Sequence, residues 1–184
     1  MVESGSPNSC ICVALPRHHS QVSLFRLQDV TPGTPDAGDK LTWEWWRGSA
    51  TQIQEFGDPL STTSYDLCVF DASAGTPELV MSEHVAAAAT CASKSCWKSG
   101  KTSFTYTDRK LENGPISSLF LKAGVDRKAR ITLKGKGIKL GMPTLPLHVQ
   151  NAVTVQLSNG TTCWEADYGT STRNDAFEFR AKAN

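Results

Sequence analysis

The chain has 184 residues, and its 19 lysine and arginine residues against 18 aspartate and glutamate residues give a formal net charge of +1 at pH 7. One domain is typical of an all-β chain of this length, and the balanced charge provides no overall field to attract nucleic acid. No stretch approaches the ~20 apolar residues of a transmembrane helix, so we expect neither a nucleic-acid partner nor a transmembrane segment.

The first 38 residues form a poorly patterned segment that ends in a predicted linker or long turn. Two prolines and two glycines fall within residues 29–40, where they interrupt regular structure. Residues 21–27 predict one additional strand. The amino terminus has Glu3 in place of the basic residues that open a signal peptide and contains only a short apolar run, so it is not a convincing signal peptide. We expect the domain proper to cover residues 39–184.

The same segment contains a weak candidate for a metal site. Cys10, Cys12, His18 and His19 place four potential zinc ligands within ten residues. Adjacent histidines rarely both reach one tetrahedral ion, and no fold signals surround the set. Disorder is therefore the favoured interpretation, and we expect no cofactor.

From residue 39 onward, short strand-like runs alternate with turns rich in glycine, proline, aspartate and asparagine. Short strands at such intervals, with helical periodicity almost absent, are typical of an all-β fold. We predict a two-layer antiparallel β-sandwich of about 8–10 short strands with two structural disulfides.

The clearest local element is a hairpin around the Asn-Gly dipeptide at 159–160. A two-residue turn would pair Ser158 with Thr161 and place Trp164 on the inward face. A three-residue bulged turn would place Cys163 there instead. The pattern alone leaves both registers open.

The four later cysteines are interpreted as two disulfides. Cys91 and Cys96 flank a short polar loop, whereas Cys68 and Cys163 each lie in a strand-like run and would join distant parts of the sandwich. Four cysteines permit three pairings, so the connectivity stays open. Persistent disulfides imply an oxidising compartment, and we expect a secreted or cell-surface protein whose first residue is an internal or misassigned methionine. The alternative is a cytosolic protein with free thiols.

Several stretches of residues 39–182 occur together in a specific combination: KLTWEWWRG, CASKSCW, SFTYTDRKLENGP, ARITLKGKGIKLGMP and VTVQLSNGTTCWEADY. The combination resembles a recurrent β-rich domain that contains cysteine and tryptophan residues and occurs in uncharacterised secreted proteins of environmental bacteria. The resemblance implies a secreted β-rich domain whose four later cysteines are structural, often carried in larger or repeated extracellular chains. It transfers no catalytic residue.

Common catalytic motifs are absent from the sequence. There is no Gly-x-Ser-x-Gly elbow, Walker loop, dinucleotide fingerprint or His-Glu-x-x-His. Asp71, Glu165 and Asp167 could act as an acid and a base in glycoside hydrolysis if the fold brought two of them together. Solvent-facing acids are routine on antiparallel strands, so we favour a protein without catalytic activity.

A basic block is more distinctive, and it could hold an acidic polysaccharide or a lipid headgroup. The alternative is an ordinary solvent face, because basic residues alternate with Ile131 and Leu133 and exposed lysines protect sheet edges. The block comprises Lys122, Arg127, Lys128, Arg130, Lys134, Lys136 and Lys139.

The tryptophans of KLTWEWWRG divide between two faces of the predicted strand. Alternation assigns Trp43 and Trp45, with Leu41, to the core. Trp46 falls on the opposite face beside Arg47, where an exposed ring could stack on carbohydrate. Trp97, after the small cysteine ring, could lie at the same end; the alternative is that both tryptophans cap the sandwich.

These patterns favour a non-catalytic extracellular module for adhesion or glycan attachment. The candidate ligand-binding residues are Trp46, Trp97, Arg47, Lys134 and Lys136. A small secreted hydrolase built on carboxylates and a purely structural repeat of a larger surface protein are the alternatives.

Overall fold

The computed structural model describes residues 10, 12, 14–72, 75–149 and 152–183, and within them it contains strands but no α-helix. A 3-10 turn covers Ile53–Phe56. The all-β prediction is confirmed, although short pieces raise the strand number above the predicted 8–10. The strands are β1 (Arg17–Gln28), β2 (Lys40–Gly48), β3 (Tyr65–Asp71), β4 (Glu78–Val85), β5 (Thr90–Cys91), β6 (Lys94–Ser95), β7 (Trp97–Ser99), β8 (Ser103–Thr107), β9 (Ile116–Lys122), β10 (Ala129–Lys136), β11 (Val153–Ser158), β12 (Cys163–Tyr168), β13 (Arg173–Asn174) and β14 (Glu178–Ala183).

All of these strands except β5 and β6 belong to one curled sheet. Its order is β4-β3-β11-β12-β1-β2-β10-β9-β8-β7, with β14 also paired to β1 and β13 paired to β14. We call β4, β3, β11 and β12 the short half of the sheet. The long half consists of β13, β14, β2, β10, β9, β8, β7 and the part of β1 that follows His19.

Strand β1 joins the two halves. Residues 17–19 run parallel to β12, and the remainder of β1 runs antiparallel to both β2 and β14. The sheet is therefore mixed, and the prediction of a purely antiparallel arrangement is wrong. Strands from both sides of the predicted boundary at residue 39 pair directly in this sheet, since β1 is a neighbour of β2 and β14.

Two buried tryptophans of β2 form hydrogen bonds with residues of β12. The indole Nε1 of Trp43 donates to the hydroxyl oxygen of Tyr168 at 3.1 Å, and the Nε1 of Trp45 donates to the carbonyl oxygen of Glu165 at 3.0 Å. Leu41, Trp43 and Trp45 are buried, so their assignment to the core is confirmed.

The β11–β12 hairpin has a four-residue connection that neither predicted register anticipated. Ser158 pairs with Cys163, which puts Trp164 opposite Leu157. The side chain of Asn159 stabilises the wider turn, because its Oδ1 accepts the backbone N–H of Thr162 at 2.9 Å. Trp164 is buried, as the two-residue register also predicted. The observed turn is two residues longer than that register, and adding an even number of residues leaves Trp164 on the same face of the strand.

Three disulfides link all six cysteines: Cys10–Cys68, Cys12–Cys163 and Cys91–Cys96. The predicted Cys91–Cys96 ring is present, but the expected number of two and the Cys68–Cys163 pairing are wrong. Strand β11 lies between β3 and β12, so Cys68 and Cys163 are two strand spacings apart, about 10 Å. That separation exceeds the reach of a disulfide.

The proposed zinc ligands are used elsewhere. Cys10 and Cys12 are in disulfides, so neither offers the thiolate that zinc requires. His18 lies 2.7 Å from a Glu55 carboxylate oxygen, and His19 lies 3.5 Å from Glu165. Within the described ranges, no three His, Cys, Asp or Glu side chains are arranged to hold a metal ion. The N-terminal zinc candidate is therefore wrong.

Candidate functional site

The outward surface of the long half carries most of the candidate binding residues. Side chains of β2 alternate as far as Trp46: Trp43 and Trp45 point inward, whereas Trp46 is 38% exposed. Trp46 lies beside Val22 of β1. On its other side a bulge places Trp46 and Arg47 opposite Arg130 of β10.

The local sequence explains why Trp46 is turned outward at this bulge. Arg47 adopts a positive φ of 48°, which interrupts the regular strand. The ring of Trp45 packs against Gly48 so closely that a Cβ at Gly48 would lie 1.8 Å from a ring atom. The absence of a side chain at Gly48 therefore leaves room for the buried ring of Trp45, while the ring of Trp46 stays at the surface.

Basic side chains populate the same surface across five strands. Cross-strand register places Arg130 opposite Lys122, Lys40 opposite Lys136, and Arg26 opposite Arg180. We call this surface, together with Trp46 and Phe120, the basic face. Its cationic members are Arg26, Lys40, Arg47, Lys122, Arg130, Lys134, Lys136, Arg180 and Lys182, and Glu44 and Glu178 are acidic residues on the same side.

One end of the basic face is neutralised. Glu178 accepts from Arg26 Nε at 2.6 Å and from Arg173 Nη1 at 2.9 Å. By contrast, none of the described acidic groups lies within 4 Å of the charged nitrogens of Lys122, Arg130 or Lys134. These three cations outnumber the one carboxylate on the neighbouring strand, Glu44, so the central region carries net positive charge.

Aromatic rings interleave with these cations. The guanidinium carbon of Arg130 lies 5.8 Å from the centroid of Phe120, within cation–π range. Leu24 and Val22 lie next to Glu44 and Trp46 on the adjoining strand. The basic face therefore combines anion-attracting groups with flat apolar surface.

Of the five predicted ligand-binding residues, Trp97 is buried and the other four are exposed. Trp97 is 2% exposed, packs with ring centroids 5.6 Å from Tyr65 and 5.1 Å from Tyr106, and donates its indole N–H to the Ala86 carbonyl at 2.9 Å. Its assignment to a stacking surface is wrong, because it occupies an inward position of β7. Trp46, Arg47, Lys134 and Lys136 are all exposed on the long half.

Two of the three candidate catalytic carboxylates come together. Glu165 and Asp167, two residues apart on β12, line a cavity of about 360 Å³ with Arg17 and Gln156. Glu165 is buried and accepts from Gln156 Nε2 at 2.9 Å and from Arg17 Nη1 at 3.4 Å.

The third candidate, Asp71, lies outside this cavity. Its Oδ2 accepts the backbone N–H of His148 at 3.2 Å. Asp71 therefore tethers the segment that precedes β11.

Sequence reasoning missed Glu83. It lies on the inward face of β4 between Met81 and Val85, and its Oε1 accepts the Gly141 N–H at 2.7 Å. Burial raises the pKa of Glu83 to about 7, opposed by that hydrogen bond. The sequence did contain a signal for this residue: Glu83 alternates with the apolar residues Met81 and Val85, which predicts an inward carboxylate. A carboxylate in that position requires a hydrogen-bond partner.

A larger cavity of about 530 Å³ lies beside the Glu83-anchored segment. Its walls are the β1–β2 loop, which contributes Asp29 and Asp39, and residues 140–145. No sequence motif indicated this cavity, because its two walls are about a hundred residues apart in the chain.

Together these features define the class: a disulfide-linked all-β protein with a basic, aromatic-bearing outer sheet surface. None of its described helical turns is long and apolar enough to span a bilayer. No protein-family model, curated protein or solved structure matches the chain.

Proposed function

We propose that the protein is a non-catalytic extracellular module that attaches to an acidic polysaccharide through the basic face. The observation that carries the proposal is the unneutralised Arg130–Lys122 pair beside the exposed ring of Trp46. An anionic polymer lying across both cations would relieve their repulsion, because it supplies the missing negative charge.

The spacing of the basic face suits a repeating ligand. Neighbouring strands lie about 4.8 Å apart, and outward residues recur about every 7 Å along a strand. Arg130 and Lys134 therefore present charges at intervals along β10, with Lys122 on the next strand. A polysaccharide with a charge on each repeat can contact several of these groups at once, so individually weak contacts add up.

Trp46 supplies the uncharged part of the proposed contact. A flat indole offers apolar surface against which the C–H face of a sugar ring can pack, at low conformational cost. Its neighbours Val22 and Leu24 extend that surface along β1. Charge would thus attract the polymer and the aromatic ring would orient it.

We place the protein in an oxidising compartment, that is, outside the cell or at its surface. Disulfides persist in secreted and surface proteins and are rare in the cytosol, and the chain carries three of them. We also interpret the curl of the sheet as a two-layer, sandwich-like arrangement, with the short half packed behind the long half and the basic face left outward. The contacts of Trp43 and Trp45 with β12 support that interpretation.

Affinity electrophoresis of the full chain through gels containing a sulfated polysaccharide, a polyuronate or a neutral glucan tests this function. We expect retardation by the two anionic polymers only. The Arg130→Glu variant should bind them about tenfold more weakly, equivalent to roughly 1.4 kcal/mol of binding free energy. The matched control is Arg109→Glu, an exposed arginine in the turn after β8. Equal retardation of both variants, or none by either anionic polymer, would refute the proposal.

A second candidate function is hydrolysis of a glycoside in the 360 Å³ cavity, favoured by the shared position of Glu165 and Asp167. Alternate residues of a strand lie about 7 Å apart, which is within the range for an inverting carboxylate pair. The contacts of Glu165 with Arg17 and Gln156 argue for a structural role instead. Release of reducing ends that Asp167→Asn abolishes would establish this activity.

A further inference from the structure

The cavity of about 360 Å³ lies on one face of the short half, opposite to the apolar side chains of β11. Thr154 and Gln156 line it, whereas Val155 and Leu157 are buried on the other face, because successive side chains of a strand alternate. Its volume falls within the range of small-molecule sites, which combine apolar walls with a few placed polar groups. The cavity is therefore large enough for one small organic ligand.

Three neighbouring strands form the floor of this cavity. Cross-strand register places Thr154 between Phe70 of β3 and Asp167 of β12, and the next pair on the same side of β11 and β12 is Gln156 and Glu165. Adjacent strands lie about 4.8 Å apart and alternate residues of a strand about 7 Å apart, so the floor measures roughly 10 by 7 Å. One sugar ring with its hydroxyl groups covers an area of this size.

A wall of the cavity is joined to the floor by two disulfides. Cys10 and Cys12 both line the cavity, and they are bonded to Cys68 of β3 and Cys163 of β12. These two strands lie on either side of β11. The Nε of Arg17, another lining residue, donates to the carbonyl oxygen of Cys12 at 3.0 Å. The wall is thus fixed before a ligand arrives, which reduces the entropy cost of binding.

The polar groups of the cavity include both hydrogen-bond donors and acceptors. Glu165 accepts from Gln156 Nε2 at 2.9 Å and lies 3.4 Å from Arg17 Nη1. Asp167 Oδ1 accepts from the hydroxyl of Thr154 at 2.6 Å. A carboxylate offers about four acceptor sites, a guanidinium only donates, and a glutamine amide does both. The two acids therefore keep acceptor capacity, and donors lie beside them.

The charges and the apolar groups of the cavity narrow the class of ligand. Arg17 offsets one of the two carboxylates, so the cavity has no large excess of either sign. The half-buried ring of Phe70 and the exposed ring of Pro77 supply apolar surface at the same place. A neutral ligand with several hydroxyl groups and an apolar face matches this combination, because each hydroxyl both donates and accepts.

We propose that this cavity binds one neutral sugar unit, the terminal hexose of a glycan. Adjacent hydroxyl groups of the sugar donate to Glu165 and Asp167 and accept from Gln156, and its C–H face packs against Phe70. The proposal requires binding without cleavage, in contrast to hydrolysis in the same cavity. It is also independent of polysaccharide binding by the basic face, since none of these residues belongs to that surface.

Titration of the ¹⁵N-labelled full chain with the methyl glycosides of glucose, galactose and mannose, followed by amide NMR shifts, tests the site. At least one of them should bind with a Kd of about 1 mM, as expected for a ligand of this size. The shifts should concentrate at residues 154–156 and 165–167. Methyl glucuronide should bind about tenfold more weakly, because its carboxylate meets those of Glu165 and Asp167.

Three results of this titration would overturn the proposal. The first is the absence of saturable shifts with any neutral glycoside at about twenty times the expected Kd. The second is shifts confined to residues outside the cavity, and the third is binding of the glucuronide as tight as that of the neutral sugars. Release of free hexose in the same samples would also overturn it, in favour of hydrolysis.

Variants separate a sugar contact from a structural role. Asp167→Asn should bind about tenfold more weakly, since it loses a charged acceptor, while its amide oxygen still accepts the Thr154 hydroxyl and preserves the fold. Phe70→Leu, which keeps apolar volume without a flat ring, should bind about threefold more weakly. Asp126→Asn, an exposed aspartate of another loop, and Arg130→Glu should bind as the unaltered protein does. Undiminished binding in both cavity variants, or equal losses in the controls, would refute the site.

Discussion

Arg130 of β10 and Lys122 of β9 stand directly opposite each other on the outward face of the sheet, with no described acidic side chain within 4 Å of either. Adjacent antiparallel strands place such side chains about 5 Å apart at Cβ, so the two cations repel. Arg130 lies opposite Trp46 and Arg47 at the β2 bulge. We expect this repulsion to reduce the stability of the free protein.

Replacing Lys122 with glutamate should change stability and binding in opposite directions. The free energy of unfolding should rise by about 0.2–1 kcal/mol at low salt, since the repulsive pair with Arg130 becomes attractive, and affinity for an anionic polysaccharide should fall. Urea unfolding and affinity electrophoresis measure the two effects. The same substitution at Lys110, an exposed lysine in the β8–β9 turn, serves as the control. A stability loss at Lys122 would contradict the repulsion argument.

Replacing Trp46 with alanine should weaken polysaccharide binding about tenfold, which corresponds to roughly 1.4 kcal/mol. The Tm should barely change, because exposed side chains contribute little to stability. Phe177→Ala is the matched control, since Phe177 is 55% exposed but lies in the turn before β14. Binding constants from fluorescence titration and melting curves would check both parts, and equal losses in the two variants would remove Trp46 from the site.

Glu83 should make stability depend on pH. Its pKa is raised from 4.5 to about 7 by burial, so between these values the folded state binds a proton that the unfolded state has released. Stability therefore falls as pH rises from about 4.5 to 7 and levels off above, by a few kcal/mol in all.

The variant Glu83→Gln should flatten this part of the pH profile while its amide oxygen still accepts the Gly141 N–H. Urea unfolding at half-unit steps from pH 5 to 8 measures the slope. Glu112→Gln, an exposed glutamate, is the comparison and should keep the slope of the unaltered protein. An unchanged slope in Glu83→Gln would assign the pH dependence to other groups.

The long-range disulfide should contribute more to stability than the local ring. Cys12–Cys163 spans 151 residues and Cys91–Cys96 spans 5, and the loop-entropy model gives about 5 and about 2 kcal/mol for closing loops of these lengths. The double alanine variants should therefore differ clearly in Tm. Non-reducing peptide mapping should recover Cys10–Cys68 and Cys12–Cys163, and a Cys68–Cys163 peptide would contradict the sheet order.

Local sequence patterns predicted those features of the fold that depend on interactions between residues close together in the chain. Alternation in KLTWEWWRG placed Trp43 and Trp45 inside and Trp46 outside, because successive side chains of a strand point to opposite faces. The Asn-Gly dipeptide located the β11–β12 hairpin, but its register needed the Asn159 side-chain contacts that widen the turn. Trp97 was misplaced because a three-residue strand is too short to show which face is inward.

The sequence by itself determined an all-β chain, the inward and outward tryptophans of β2, and a cluster of bases along β10. Only the tertiary structure decided which cysteines pair, that β1 lies between β12, β14 and β2, and that Lys122 faces Arg130. The reason is physical: alternation and turn chemistry act over a few residues, whereas strand order depends on packing between segments far apart in the chain.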